Sequence, residues 1–302
     1  MAWSWDGRTL IRFPTESTRH EKRGFTKPHE QALPTAITSV VLRPMDPDQN
    51  LHFSYLQTKK FFRSAKPPTQ CQTVLGEMHK RLEMLSAAII EERNVKLACK
   101  AGCSYCCHLR VDARAHEVIY AAEFIRRHLS AAQIEGIVAR SKAHAKKMSA
   151  MTVLQQFTSN NACPLLVDGR CSAYGGRPIS CRSHHATDVK YCQQFFETSD
   201  PDTPASHDEP LYHNSRAVWD GITKAFAEEG YDGEMYDFGS AIGEALENPV
   251  TARRWRDKKR AFSSQALAKD APDANTFAKP PAEAAPATVA LAEERPDEQQ
   301  FC

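Results

Sequence analysis

The chain has 302 residues, of which 25% are charged and 41% are hydrophobic, and its formal net charge is +2. So small a net charge gives no overall field that would draw nucleic acid or an anionic membrane to the protein. No apolar run approaches the roughly 20 residues that a membrane helix needs, and no apolar signal segment opens the chain. We therefore expect a soluble, cytoplasmic protein without membrane contact.

Residues 1–70 are polar, basic and rich in Pro, Thr and His. Such a composition buries little apolar surface, so we expect an extension that is irregular over much of its length. The one β-like run in it is AITSVVL, residues 36–42.

Residues 71–250 carry helical periodicity. Apolar side chains spaced by three and four from Leu75 to Ile89 predict a helix that ends just before the first clustered cysteine. Asp112 is a candidate cap for a second helix. Ser130 and Gln133 have the spacing of a capping box and predict the start of a third.

The second half of this domain predicts one hairpin and two more helices. CPLLVDGRC, residues 163–171, places Asp-Gly after an apolar run, which is typical of a tight β-turn. Helical periodicity follows at residues 211–229, ended by Gly230, and again at residues 235–246. The fold class predicted is mainly α, a small helical domain with one short β-hairpin.

Residues 251–302 begin with a basic run, RRWRDKKR at 253–260, and continue with Ala, Pro and acidic residues. We expect this tail to be disordered, because it cannot bury enough apolar surface to offset its ordering entropy. The basic run leaves a nucleic-acid partner open, but a solvated helix end is the simpler interpretation. Any protein partner is unknown.

Eight of the ten cysteines lie between residues 99 and 192, and they are the candidate metal ligands. In a reducing cytosol, grouped cysteines are metal ligands or redox groups more often than disulfides. Thiolates are soft ligands that select zinc, copper(I) or iron–sulfur clusters. The candidates are Cys99, Cys103, Cys106, Cys107, Cys163, Cys171, Cys181 and Cys192.

The spacing of the first four cysteines suits chelation. Cys99 and Cys103 would share one face if the helix continued that far, and Cys103-x2-Cys106 is a usual two-thiolate chelate. Gly102 would allow the turn that such a chelate needs. Adjacent Cys106 and Cys107 do not easily point the same way, so eight ligands divide into two four-thiolate sites, or one such site and a mixed one. The candidates for histidine ligation are His108, His184 and His185.

Four thiolates around Zn²⁺ or a four-iron cluster leave a charge of about −2, which nearby cations would offset in a buried site. The basic residues within a few positions of a candidate ligand are Lys100, Arg110, Arg170, Arg177 and Arg182.

Two blocks of this sequence resemble a known bacterial cysteine-cluster family, described as a zinc- or iron-chelating domain and named for a CxxCxxCC signature. They are CKAGCSYCCHLRVDARAHE, residues 99–117, and CPLLVDGRCSAYGGRPISCR, residues 163–182. The resemblance covers residues 72–250 and implies a mainly helical metal-binding fold. One departure is that three residues, and not two, separate Cys99 from Cys103. The residues that match the family outside the cysteines are Glu117, Tyr174, Arg177 and Pro178.

Three functions follow from these observations. The leading one is chelation of zinc or iron, an iron–sulfur cluster included, with a structural, sensory or redox role. The first alternative is an S-adenosylmethionine-dependent protein methyltransferase, since a flagellin lysine methylase has a similar cysteine pattern. The remote alternative is a radical S-adenosylmethionine enzyme, because C-x3-C-x-Tyr105-C fits that motif, although such enzymes need a β/α barrel. Catalytic residues are not assigned.

Overall fold

The protein is described here by a computed structural model. The residues whose structure it describes are 3–5, 10–12, 46–64, 70–200, 202–204 and 206–264. The β-like run at residues 36–42 and the tail from residue 265 lie outside these ranges.

The first compact unit comprises residues 1–41. Its described part is an antiparallel pair of strands, β1 (Trp3–Trp5) and β2 (Leu10–Arg12), with Trp3 opposite Arg12.

The second compact unit begins at Leu42 and is mainly helical, which confirms the predicted fold class. Its described helices are α1 (Pro47–Ser64), α2 (Gln70–Glu92), α3 (Ala115–His128), α4 (Ala131–Ser149), α5 (Val153–Thr158), α6 (Ile179–Arg182), α7 (Val189–Thr198), α8 (Glu209–Glu228), α9 (Phe238–Glu247) and α10 (Val250–Arg256). Its described strands are β3 (Asp112–Arg114), β4 (Leu166–Val167), β5 (Arg170–Cys171) and β6 (Met235–Asp237).

The strands of the described chain pair only in twos, all antiparallel: β1 with β2, β3 with β6, and β4 with β5. The described residues therefore contain no β/α barrel, which is the fold that the radical-enzyme alternative requires.

Several predicted elements are confirmed. Helix α2 buries the apolar stripe that begins at Leu75, and α8 ends at Glu228, two residues before Gly230, whose φ is +80°. Helix α4 begins with the predicted capping box, because the Ser130 hydroxyl accepts from the Gln133 N–H and the Gln133 side chain accepts from the Ser130 N–H.

The predicted cap at Asp112 is wrong. Asp112 lies in strand β3, opposite Asp237 of β6, and α3 starts three residues later with Arg114 as its cap. Pairing with a strand that is remote in sequence takes Asp112 away from the helix terminus. Local spacing does not reveal such a pairing.

The predicted continuation of α2 to the cysteines is also wrong. The helix ends at Glu92, and Asn94 adopts a left-handed conformation with φ +52°. Residues 95–100 have no helical structure. Cys99 and Cys103 therefore do not share a helical face.

Helix α1 was not predicted, since it lies in the polar segment assigned to the extension. It packs along α8 through a close approach at Gly221, where a Cβ would lie 2.2 Å from the Leu51 carbonyl oxygen. The buried side chains of Asn50 and Asn214 join the two helices with a 2.7 Å hydrogen bond. Phe62 of α1 also packs edge-on against Phe226 of α8, with ring centroids 5.1 Å apart, so the contact combines small and polar residues with an aromatic pair.

The main core lies between α2, α3, α8 and α9, which contribute side chains that include Leu82, Ile125, Val218 and Ile242. The basic run forms the end of α10, where Trp255 is buried and the arginines at 254 and 256 are exposed. None of the helices described is both long enough and apolar enough to cross a lipid bilayer.

Candidate metal centre

The first cysteine lies in an extended segment that is bound to the chain near residue 186. The Ala98 N–H donates to the Ala186 carbonyl at 2.7 Å, and the Ala186 N–H donates to the Cys99 sulfur at 3.3 Å. A backbone N–H aimed at sulfur stabilises a thiolate. This segment ties the start of the first cysteine block to the residues just after the second.

The next three cysteines follow in two successive turns. The Cys103 N–H donates to the Lys100 carbonyl at 3.0 Å, and Gly102 between them has φ +88°, as a residue without a Cβ permits. Residues Tyr105–His108 then form a single 3₁₀ turn that carries Cys106 and Cys107. Successive side chains of a 3₁₀ helix project about 120° apart, so these two thiols leave the backbone in different directions.

The backbone of this turn is joined directly to the second cysteine block. The Cys163 N–H donates to the Cys107 carbonyl at 2.8 Å, and the Asn161 N–H donates to the His108 carbonyl at 2.7 Å. The hairpin that follows turns at Asp168, as predicted, and pairs Cys171 with Leu166. It therefore returns Cys171 to the neighbourhood of Cys163.

Glu117 places the helix that carries Cys181. One carboxylate oxygen of Glu117 accepts from the Ile179 N–H at 2.8 Å, at the start of α6, and the other accepts from the Arg114 N–H at 2.9 Å. Glu117 is buried, with only 2% of its surface exposed. It therefore links the start of α3 to the start of α6 and is not placed as a metal ligand.

The last cysteine, Cys192, lies on α7. One helical turn later, the ring of Phe196 packs against Tyr105 and His108, with centroids 5.5 and 4.9 Å apart. This contact brings Cys192 over the first cysteine block. The His108 ring nitrogen Nδ1 lies 3.0 Å from the Ser104 carbonyl oxygen, so that nitrogen is engaged by the protein.

All eight predicted ligands lie in one region as free thiols. They fall into two sets, according to which thiols lie near one another. The thiols near Cys192 are Cys99 and Cys103, and we call these three the outer thiols. The inner thiols are Cys107, Cys163, Cys171 and Cys181, which are mutual electrostatic neighbours. Cys106 lies between the two sets, near Cys107, Cys181 and Cys99.

Burial governs the inner thiols. It raises the pKa of Cys163 to about 12 and also raises the pKa of Cys171 and of Cys181. Core residues of the same block, such as Leu165 and Ile179, are each 1% exposed. Without a cation in contact with them, these thiols remain protonated at neutral pH.

The adjacent pair Cys106 and Cys107 is asymmetric. A hydrogen bond between their thiols, together with burial, raises the pKa of Cys106. The same hydrogen bond lowers the pKa of Cys107 to about 7, and the Arg177 guanidinium contributes to this. Cys107 is therefore the thiol of the pair that ionises first.

Arg177 is the cation that the inner thiols share, since its charge acts on Cys107, Cys171 and Cys181. Its guanidinium lies 3.6 Å from the ring centroid of Tyr174, and its Nε is buried without a hydrogen-bond partner. Sequence reasoning named Arg177 among five basic residues but could not single it out.

The other predicted cations have different positions. Arg182 is buried and donates from Nε to the Arg177 carbonyl at 3.0 Å, which holds the loop before α6. Arg110 pairs with Asp112 at 2.8 Å. Lys100 and Arg170 are exposed.

The donor chemistry fits zinc or iron, because thiolates are the soft ligands that select zinc and iron–sulfur clusters. Within the described ranges, however, no three His, Cys, Asp or Glu side chains are grouped closely enough to hold an ion as they stand. Burial lowers the pKa of His185 to about 4, the Arg177 charge contributes to this, and its Nδ1 has no hydrogen-bond partner within the described ranges. Neither His184 nor His185 joins the thiols in a ligand group.

Comparison with models of known protein families gave a match in this region. Residues 98–202 match the family model CxxCxxCC, described as "putative zinc- or iron-chelating domain". The match includes all eight clustered cysteines and is narrower than the resemblance at residues 72–250. No curated protein and no solved structure matches the chain. Residues 98–202 are therefore similar to the CxxCxxCC family, whose description gives zinc or iron as the metal chelated.

Proposed function

We propose that the chain is a metal-binding protein that holds zinc or iron through up to eight thiolates, in a structural, sensory or redox role. The observation that supports it best is the gathering of eight reduced cysteines, from two separate blocks and a helix, into one region. Because grouped metal-binding cysteines are typical of a reducing compartment, we propose that this protein is cytoplasmic.

The electrostatics of the region favour a bound cation. Burial makes a bare thiolate costly at Cys163, Cys171 and Cys181, and a divalent cation in contact with them would offset that cost and displace their protons. Metal uptake would also have to draw the sulfurs together. The turns and short helices that carry them can adjust more readily than long packed helices.

We favour iron over zinc, as an iron–sulfur cluster, because so dense a grouping of cysteines resembles cluster binding more than paired zinc knuckles. Four thiolates suit either tetrahedral zinc or a cluster, so the donor set alone agrees with both. When bound, zinc would stabilise the domain, whereas a cluster would add electron transfer.

The test is anaerobic purification of the full chain, followed by metal analysis and a visible spectrum. A coloured protein with iron and sulfide supports the proposal in its preferred form, and a colourless protein with stoichiometric zinc overturns the preference for iron. Cys106→Ser should lower the metal content, whereas Cys71→Ser, outside residues 98–202, should not. A protein that takes up neither metal would contradict the proposal.

A further inference from the structure

We infer that the basic run, residues 253–260, is a binding surface for the phosphate backbone of a nucleic acid duplex, which it contacts without reading the base sequence. The run comprises the end of α10 and the turn that follows it. The inference does not depend on bound metal and goes beyond the proposed function. It takes the place of the solvated helix end that the sequence alone favours.

The core holds the basic run in place at its centre and at its end. Trp255, within the run, is 4% exposed and packs against Tyr231 with ring centroids 4.6 Å apart. Ala261 and Phe262, directly after the run, are each 0% exposed. The Ala261 N–H donates to the Asp232 carboxylate at 2.7 Å. The run is therefore a fixed part of the fold, and its basic side chains extend from a defined backbone.

The charge of the run is concentrated and exposed. Six of its eight residues are basic, all six are exposed, and only Asp257 is acidic. The run therefore has a formal charge of +5, whereas the whole chain has +2. Among the described residues, the side chains of Arg253, Arg254, Arg256 and Lys259 form no ion pair. Unpaired cations on one short segment give a strong local field even where the net charge of a protein is small.

Carboxylates beside the run are engaged elsewhere and do not neutralise it. Glu229, on which the charge of Lys258 acts, pairs with Lys59 of α1 at 2.6 Å. The carboxylate of Glu244 accepts the N–H groups of residues 263–264. Within the described part of the chain, the run thus lacks an internal acidic partner, and an anion from outside can approach it.

The side chains of the run favour a duplex among anionic partners. Four of its six basic residues are arginines, whose planar guanidinium can donate to two phosphate oxygens at once. Its single aromatic ring, Trp255, is buried, so the run offers no platform on which an unpaired base could stack, as single-strand binding requires. Thr251 and Trp255 face the core, so α10 keeps no continuous apolar face for insertion into a membrane. Contacts to backbone phosphates remain, and these carry no base readout.

The experiment measures binding of the full chain to a fluorescent DNA duplex of about 20 base pairs by anisotropy, over a series of salt concentrations. Neutralisation of four or five phosphates predicts a slope of about −4 for the logarithm of the association constant against that of the salt concentration. A duplex of different sequence should bind equally well. Arg254→Gln combined with Arg256→Gln should reduce the slope by about 2 and weaken binding at low salt at least about tenfold.

The matched control is Lys146→Gln combined with Lys147→Gln, which removes the same charge from exposed positions of α4. It should keep the wild-type slope, and circular dichroism should show the same helix content in both variants. An equal loss in the two variants would show that only overall charge matters, and would overturn the inference. So would a wild-type protein that does not bind the duplex at low salt, or that binds vesicles of anionic phospholipid instead. The metal content of both variants should equal that of the wild type, so this test is separate from that of the proposed function.

Discussion

Two regions of this molecule are held together in different ways. The helical core, α2, α3, α8 and α9, buries apolar side chains, and seven of the ten residues of α9 are buried. The thiol region, which we define as residues 95–108 and 160–198, has long stretches with no buried residue, α7 among them. Its contacts include backbone hydrogen bonds, arginine side chains and the packed rings of Phe196 and Tyr105, and some of its side chains, such as Leu165 and Ile179, join the main core. Apolar burial stabilises the first region, and under the proposed function we expect bound metal to stabilise the second.

Removal of the metal should produce the largest difference between the two regions, measured as amide hydrogen exchange. Structural zinc contributes on the order of 10 kcal/mol in small domains whose core is too small to fold alone. After treatment with a chelator under reducing conditions, we expect amide hydrogen exchange to rise throughout the thiol region. The helical core should keep its protection.

Peptides from α9 serve as the internal control in this exchange experiment. Equal exchange in the thiol region with and without metal would contradict the idea that metal holds it. A rise in both regions together would show that they unfold as one unit.

Glu117 joins the two regions, so its substitution should be the most damaging single change outside the cysteines. In Glu117→Gln, the amide NH₂ would face either the Ile179 N–H or the Arg114 N–H, and one buried donor would lose its acceptor. We expect a loss of about 1–3 kcal/mol in the free energy of unfolding, measured with urea on the metal-loaded protein.

The matched control is Glu77→Gln, on the exposed face of α2, where the carboxylate pairs only with Lys80. It should change the free energy of unfolding by no more than about 0.5 kcal/mol. If Glu117→Gln costs equally little, the carboxylate does not accept both N–H groups.

The difference between the regions also explains what the sequence could reveal. The stripe from Leu75 and the capping box at Ser130 are local patterns, and they predicted α2 and α4 correctly. The eight cysteines could be named as candidate ligands from their types and spacing. Their division into outer and inner thiols could not, because it depends on remote contacts such as Cys163 with Cys107 and Phe196 with Tyr105.

A third prediction concerns the helical core alone. His116 is 1% exposed, stacks on Phe226 with centroids 4.6 Å apart, and has no hydrogen-bond partner at either ring nitrogen among the residues that the structure describes. Burial lowers its pKa from 6.5 to about 3. Its contribution to stability is therefore fully present above about pH 6.5 and is lost as the pH falls towards about 3, since the unfolded state binds the proton first. At about pH 5 the loss attributable to His116 is about 2 kcal/mol.

In His116→Phe, this part of the pH dependence should disappear, so that urea unfolding followed by circular dichroism gives a smaller loss between pH 7 and pH 5. An unchanged dependence in His116→Phe would show that His116 is not held neutral by burial.

The smallest effect we expect is at Arg177. It tests whether the charge of Arg177 raises the metal affinity of the inner thiols by favouring their ionised forms. Arg177→Gln removes the charge that favours the ionised forms of Cys107, Cys171 and Cys181 and so opposes the effect of burial on these thiols. Metal binding releases thiol protons, so affinity at neutral pH should fall by about tenfold, or about 1.4 kcal/mol. Competition with a chromogenic chelator measures it.

The control for this charge is Arg170→Gln, in the same block but exposed, which should leave the affinity unchanged. Arg177→Lys keeps the charge but loses the planar guanidinium that lies over Tyr174, so its affinity should fall between the two. If Arg177→Gln and Arg170→Gln had the same metal affinity, the charge of Arg177 would not assist metal binding by the inner thiols. Burial would then oppose their ionisation until the metal itself arrived.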